Sequence, residues 1–486
     1  MVTIPRVVIA APGSGHGKTS VTTGLLGALR ARGLTVSPHK VGPDYIDPGY
    51  HALAAGRVGR NLDPWLVGED RIEAMFAHGA RTPEPADIAV IEGVMGLFDG
   101  KADTGGTSSV PNHSVLNHGA FNHGGDFAST AHVAALLRAP VILVVDAGGF
   151  SASAAALLHG FATWGPGTRI GGVIFNKVGS EYHEHLLREA ADAAGVPVIG
   201  LIGRRDQLTV PSRHLGLIPA AELGAPAVDA VAALAAIVAD SVDLDAVVRL
   251  ARTAGPLAEN QEASDERVRP AVGRPRIAFA AGPAFTFGYA EHPELLTAAG
   301  AEVVTFDPLR DERLPDDVHG LVIGGGFPEE HSMRLSANAP LRGQVAALAR
   351  SGAPVLAECA GLLYLATSLD GHPMCGVLDA RAVMTGRLTL GYRDAVAAAD
   401  SPLAAAGTRV HGHEFHRTAV EATERTGDAA VGAWHWRRLG DAVTEGFVAG
   451  RVHASYLHTH WAGVPDAPNR IAEAARGYQA SVRARH

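Results

Sequence analysis

Lys18 and Thr19 end the run Pro12-Gly13-Ser14-Gly15-His16-Gly17-Lys18-Thr19, and residue types in that order can hold a phosphate group. Glycines at 13, 15 and 17 let successive backbone N–H groups turn towards an anion. Lys18 would meet the β- and γ-phosphates of a nucleotide and the Thr19 hydroxyl a magnesium ion. The usual pattern, G-x-x-x-x-G-K-[ST], wants glycine where Pro12 stands, so the match is a variant. The competing reading is a glycine-rich turn with a chance lysine. A buried-strand pattern before the loop and an amphipathic helical pattern over residues 21–32 after it favour the phosphate site.

Two further groups carry chemistry. Lys40-Val41-Gly42-Pro43-Asp44-Tyr45-Ile46-Asp47 and Glu92-Gly93-Val94-Met95-Gly96 each come after an expected strand. Asp44 and Glu92 are candidates to supply magnesium with hard oxygens beside Thr19, and Lys40 to neutralise a transferring phosphoryl group. Far along the chain, Val355-Leu356-Ala357-Glu358-Cys359-Ala360-Gly361 reads as a strand, a sharp turn and a helix, a geometry that exposes a nucleophile. A thiol at a helix N-terminus is expected to have a lowered pKa and to sit over N–H donors for an oxyanion. Cys375 reads as apolar packing.

The elements that must position these groups alternate strand and helix. Thr35-Val36-Ser37 is a short strand-like run, and Ile88-Ala89-Val90-Ile91, residues 140–146 and residues 170–176 are largely apolar, β-branched runs without polar alternation. They predict a parallel sheet covered on both faces by helices, with chemistry gathered at the C-terminal ends of its strands. Asn176 closes one such run, and its amide offers a donor and an acceptor to a nucleotide base, although a turn-forming Asn accounts for it as well. Residues 253–275, rich in Gly, Pro and acidic types, read as a linker between a domain over 1–252 and another α/β domain over 276–486.

Composition narrows the partners. Of 486 residues 19% are charged and 47% hydrophobic, normal for a folded protein, and a net charge of −9 without a basic patch argues against nucleic acid. The N-terminus enters the first strand without a leader and no long apolar run follows, so a cytoplasmic protein is expected, and two cysteines fit a reducing compartment. Asn112-His113, Asn117-His118 and Asn122-His123 recur every five residues in a Gly-rich stretch that reads as a solvated insertion. In His411-Gly412-His413-Glu414-Phe415-His416, strand alternation separates His411 and His413 from Glu414 and His416, which disfavours a compact metal site.

The variant phosphate loop with residues 40–51 and 92–100 resembles the cobyrinate and hydrogenobyrinate a,c-diamide synthases of corrinoid biosynthesis. The resemblance implies a dethiobiotin-synthetase-like P-loop domain in which Thr19, Asp44 and Glu92 hold magnesium, Lys18 and Lys40 face the phosphates, Asp47 lies near the reacting carboxylate and Asn176 contacts adenine. The segment Ala454-Ser455-Tyr456-Leu457-His458-Thr459-His460-Trp461 is similar to the end of a class I glutamine amidotransferase domain, which makes His458 the base for Cys359. That class has a Glu two residues further on; His460 stands there, so a Cys-His dyad is implied. Gly324-Gly325-Gly326-Phe327-Pro328-Glu329 resembles its oxyanion-hole loop, and the run around Arg213 and His214 resembles a family stretch without a deducible role.

The implied reaction uses ATP with Mg2+ to turn a corrinoid carboxylate into an acyl phosphate, while Cys359 releases ammonia from glutamine. A homodimer is among the expected assemblies. Two rivals follow from the same motifs: an amidotransferase for another tetrapyrrole or carboxylate acceptor, and a P-loop nucleotide switch, which would have no use for Cys359 and His458.

Overall fold

The computed structural model describes residues 3–101, 126–165, 167–204, 212–213, 216–258, 273–422, 431–438 and 440–485. The Asn-His repeat, His214, the Arg213 side chain and most of the expected linker lie outside the described residues. Two compact units divide the chain, Met1–Ala263 and Ser264–His486.

In the first unit the apolar runs form β1 (Arg6–Ala10), β2 (Val36–Val41), β3 (Arg60–Leu62), β4 (Ile88–Glu92), β5 (Val141–Asp146), β6 (Ile170–Val178) and β7 (Val198–Gly203), ordered β3-β2-β4-β1-β5-β6-β7. Every neighbouring pair is parallel. β1 and β4 are buried along their whole length, as continuous apolar strings demand. The guanidinium of Arg6, buried in β1, donates to the carbonyls of Leu137, Ile4 and Gly255. The short pair β8 (Ser212–Arg213) and β9 (Gly216–Leu217) follows.

β2 runs four residues beyond the expected stretch, through Pro38, His39, Lys40 and Val41. Proline is tolerated there because β3 pairs with β2 only from His39 onwards, so at Pro38 that side of the strand asks for no ladder donor. The extension sets Lys40 at the strand's C-terminal end, opposite Glu92 on β4. The helix Lys18–Ala31 leaves the glycine loop and buries Val21, Leu25, Leu26 and Leu29. Each such side chain contributes roughly 1.5–3 kcal/mol on leaving water.

The second unit holds β10 (Arg276–Ala280), β11 (Glu302–Phe306), β12 (Val318–Ile323), β13 (Val355–Glu358), β14 (Ser368–Leu369), β15 (His372–Pro373), β16 (Ala380–Ala397), β17 (Arg409–Ala422), β18 (Trp434–Arg438), β19 (Asp441–Glu445), β20 (Phe447–Ala449), β21 (Val452–Ser455) and β22 (His458–Thr459). One sheet is β11-β10-β12-β13-β21-β20, parallel except at its last pair. The other, β15-β14-β16-β17-β22, is dominated by the long antiparallel pair β16 and β17. The sequence reading did not anticipate this layer, because β16 alternates partly buried and exposed positions with no apolar string. Residues 453–459 carry the chain from one sheet to the other: β21 pairs with β13, and β22 pairs with β17. Among the described residues no helix is long and apolar enough to cross a membrane.

Candidate active sites

The glycine loop joins β1 to the helix Lys18–Ala31. Gly17 holds φ 87°, in the left-handed region, and a Cβ there would clash with the Asn176 amide nitrogen, so only glycine fits. The Asn176 amide donates to His16 O at 3.1 Å, and His16 Nδ1 accepts from the Asp146 amide at 2.9 Å. Asn176 therefore stands at the end of β6 against the phosphate loop, with the Lys177–Asp146 ion pair, 2.5 Å, beside it. Gly13 and Gly15 lie in the loop, Gly15 with positive φ, and a Cβ at either would meet open space. Lys18 Nζ donates to Met95 O at 2.6 Å. Burial and then the Lys40 charge push Lys18 down to about 8, a situation that a polyphosphate in the loop would reverse.

Below the loop, oxygen ligands and cations interlock. Thr19 Oγ1 donates to Glu92 Oε1 at 2.6 Å and lies 3.2 Å from Asp47 Oδ2. Lys40 Nζ is 2.6 Å from Asp47 Oδ2, 3.1 Å from Glu92 Oε1 and 3.9 Å from Asp44 Oδ2. His51 Nε2 closes the far side of Glu92 at 2.6 Å. Burial alone would lower Lys40, but Asp47, Glu92 and Asp44 outweigh it and hold the ammonium above the ordinary lysine value. Burial, then the charge on Asp44, raises Asp47 to about 7. Burial would raise Glu92, yet Lys40 and the His51 hydrogen bond bring it below the ordinary carboxylate range.

Asp44 and Asp47 differ from the expected arrangement. Asp47 is the aspartate at Thr19, whereas Asp44 Oδ1 accepts from the amides of Ile46 and Asp47 in the turn that leads into the helix Asp47–Ala55. Magnesium fits this donor set. It takes hard oxygens, one or two carboxylates at a time, and completes its shell with water and phosphate oxygens. Three carboxylates around two ammonium groups leave negative charge for such a cation. No cage of three His, Cys, Asp or Glu side chains occurs among the described residues, and the His411 to His416 run is not one. There Glu414 pairs with Arg393 at 2.5 Å, and His416 stacks on Tyr456 with centroids 3.7 Å apart.

In the second unit Cys359 sits between β13 and the helix Ala360–Leu365 with φ 49° and ψ −101°, a strained conformation that turns its side chain out of the strand. Its amide donates to Ser455 O at 2.7 Å, and Gly361 N to Gly324 O at 3.0 Å, which ties the glycine loop to the turn at Cys359. That loop is pinned by paired backbone hydrogen bonds between Gly325 and Phe287, each 3.0 Å. The thiol differs from expectation: burial, then Glu329, pushes Cys359 well above the ordinary thiol value, against which the Ala360 and Gly326 amides pull. A short, buried helix end gives too little field to offset desolvation. His458 is buried in β22, opposite His413. Cys375 is buried against Tyr364, as packing.

Residues passed over in sequence also stand here. His51 lay within a quoted motif, but only the fold presses it on Glu92. Glu358 directly precedes Cys359, and only the turn from β21 into β22 brings His458 Nδ1 to 3.6 Å from it.

Residues 7–218 match the CobQ/CobB/MinD/ParA nucleotide binding domain, and residues 276–465 the CobB/CobQ-like glutamine amidotransferase domain. A hydrogenobyrinate a,c-diamide synthase of Streptomyces coelicolor is 58% identical over 97% of this chain and 98% of its own. One of Mycobacterium bovis is 55% identical over the same shares, and a cobyrinate a,c-diamide synthase of Gloeobacter violaceus 43% identical over 94% and 93%. With both domains matched in order and identity of this level along nearly the whole length, the chain belongs to the hydrogenobyrinate and cobyrinate a,c-diamide synthase family.

Proposed function

We propose that the chain converts the a and c carboxylates of hydrogenobyrinate, or of cobalt-containing cobyrinate, into amides in cobalamin biosynthesis, consuming ATP and taking nitrogen from glutamine. The observation that carries this reading is the presence in one chain of two chemically unlike sites, a glycine-loop cluster around Lys18 and a strained cysteine at Cys359, each in its own unit. Relatives more than half identical carry the hydrogenobyrinate name and those near 40% the cobyrinate name, which favours the metal-free ring. We assign residues 1–252 to carboxylate activation, 276–486 to glutamine hydrolysis and 253–275 to the linker. Two free thiols fit the cytoplasm.

In the first unit the loop amides and Lys18 bind the polyphosphate, and Asn176 reads the adenine edge. Thr19, Asp47 and Glu92 would hold a magnesium ion, which when bound supplies charge neutralisation at the phosphate oxygens. Asp44 takes the outer position, and His51 keeps Glu92 aligned. Lys40 stabilises the transferring phosphoryl group as the substrate carboxylate attacks the γ-phosphorus and ADP leaves, forming an acyl phosphate.

In the second unit His458 takes the thiol proton and the sulfur attacks the glutamine amide carbon. The Gly326 and Ala360 amides receive the developing oxyanion. His458 returns the proton to departing ammonia, and water cleaves the thioester to glutamate. Ammonia then attacks the acyl carbon, and phosphate departs.

The test is a mass-resolved assay of the chain with ATP, magnesium, amide-15N-glutamine and each corrinoid acid in turn. Expected is a product carrying two 15N-labelled amides, formed faster from hydrogenobyrinate. Glutamine hydrolysis with no amidation of either acid would overturn the acceptor assignment.

A further inference from the structure

We propose that Glu358 completes the glutaminase site as the positioning carboxylate of His458, holding its ring in the tautomer that can take the Cys359 proton. The proposal rests on the reading of Cys359 and His458 as nucleophile and base.

Glu358 ends β13, one residue before the nucleophile, with Ser455 of β21 opposite it. Its side chain reaches β22, where Oε1 accepts from Thr459 Oγ1 at 3.0 Å and from the Thr459 amide at 3.4 Å. Those bonds aim Oε2 at His458 Nδ1, 3.6 Å away. The pair is shielded from water, the side chains being 15% and 1% exposed. The other edge of the ring faces the glycine loop: a Cβ on Gly325 would lie 2.5 Å from Cε1 and 3.3 Å from Nε2. The next amide, Gly326, points at the Cys359 sulfur. Nε2 thus looks towards the nucleophile and Nδ1 towards the carboxylate.

That orientation has a chemical consequence. A histidine that takes a proton at Nε2 must carry its own at Nδ1, and a buried Nδ1–H needs an acceptor. The imidazolium formed in the reaction needs a counter-charge. Glu358 supplies both, and 3.6 Å is a separation that substrate binding commonly tightens in such sites. Groups that face His458 from the surrounding elements include Glu358 of β13, His413 of β17 and His292 of the helix Glu291–Ala298. Burial pushes His413 down to about 3 and His292 well below the ordinary value, so both stay neutral at working pH. His460 pairs instead with Glu291, 3.5 Å away.

The experiment measures glutamine hydrolysis by the full-length protein against pH for wild type, Glu358→Gln, Glu358→Asp, Thr459→Val, Glu291→Gln and Cys359→Ala. Glu358→Gln is expected to lower kcat on the order of 10²-fold with KM for glutamine little changed. Losing the carboxylate removes the counter-charge of the imidazolium, so the acid limb of kcat/KM moves to lower pH, and Glu358→Asp recovers part of the rate. Thr459→Val, which keeps the buried shape and the backbone amide but removes the shorter of the two bonds that hold the carboxylate, should give a smaller loss and a shift in the same direction; it decides the matter if Glu358→Gln does not fold. Wild-type kcat in folded Glu358→Gln overturns the proposal. So does a loss with an unmoved acid limb and no recovery in Glu358→Asp, or a limb shift found only in Glu291→Gln. Activity surviving in Cys359→Ala would instead strike the nucleophile assignment.

Discussion

Asp44 and Asp47 show one residue type doing two jobs three positions apart. The carboxylate of Asp44 is spent largely on backbone amides, whereas that of Asp47 is buried between Thr19 and Lys40. Asp47→Asn should therefore cost amidation more than 10²-fold and raise the magnesium concentration needed for half activity, while Asp44→Asn costs less. Amidation rates over a magnesium series for both variants check this, and equal losses would return Asp44 to the inner position. Lys18→Ala should abolish amidation while glutamine hydrolysis persists, since the two chemistries use side chains of different units; assays of both products on one preparation decide it. Little of this ranking was legible in sequence. Spacing marks both aspartates as strand-end carboxylates, and only the folded hydrogen bonds separate Asp44, held by backbone amides, from Asp47, held at Thr19 and Lys40.

At the scale of elements, the glycine loop and the cysteine turn are read from sequence for the same reason: both need backbone shapes that few residues permit. Gly17→Ala puts a Cβ into the Asn176 amide at a φ that alanine resists, so nucleotide affinity should fall at least tenfold with little loss of secondary structure. Calorimetric titration with ATP and magnesium measures it; unchanged affinity would show that the loop does not cradle phosphate. The strands of the first sheet are legible because burial on both faces leaves an unbroken apolar string. β16 was not, and β17 was legible only as strand alternation over residues 411–416, since a sheet with one half-exposed face mixes polar and apolar residues, and their pairing joins separate stretches of the chain. The consequence reaches chemistry: β17 is what brings His413 opposite His458.

For the molecule as a whole, the division into two units predicts separable failure. Cys359→Ala should lose glutamine-dependent amidation and recover it with ammonium salts, because no thioester forms while carboxylate activation is intact; a folded, ATP-binding variant that stays dead with ammonium would overturn the division of labour. The second unit should also be acid-sensitive. Burial holds His453 down to about 4, with its Nδ1 3.1 Å from Ser401 Oγ. Between pH 6.5 and about 4 the unfolded chain binds a proton that the folded unit refuses, so stability is present above 6.5 and falls as pH drops through that window, by roughly 3 kcal/mol for this group. Urea unfolding from pH 7 to 4 should show a shallower decline in His453→Gln than in wild type. What the sequence by itself determined were the features written locally: the phosphate loop, the cysteine turn, the strand ends and the two-domain order, each set by backbone sterics or apolar periodicity within a few neighbouring residues. What only the tertiary structure decided were partnerships across distant segments, Asp47 with Thr19, His51 with Glu92, Glu358 with His458 and the burial that lifts the Cys359 thiol, because desolvation and electrostatic pairing depend on which surfaces meet in space.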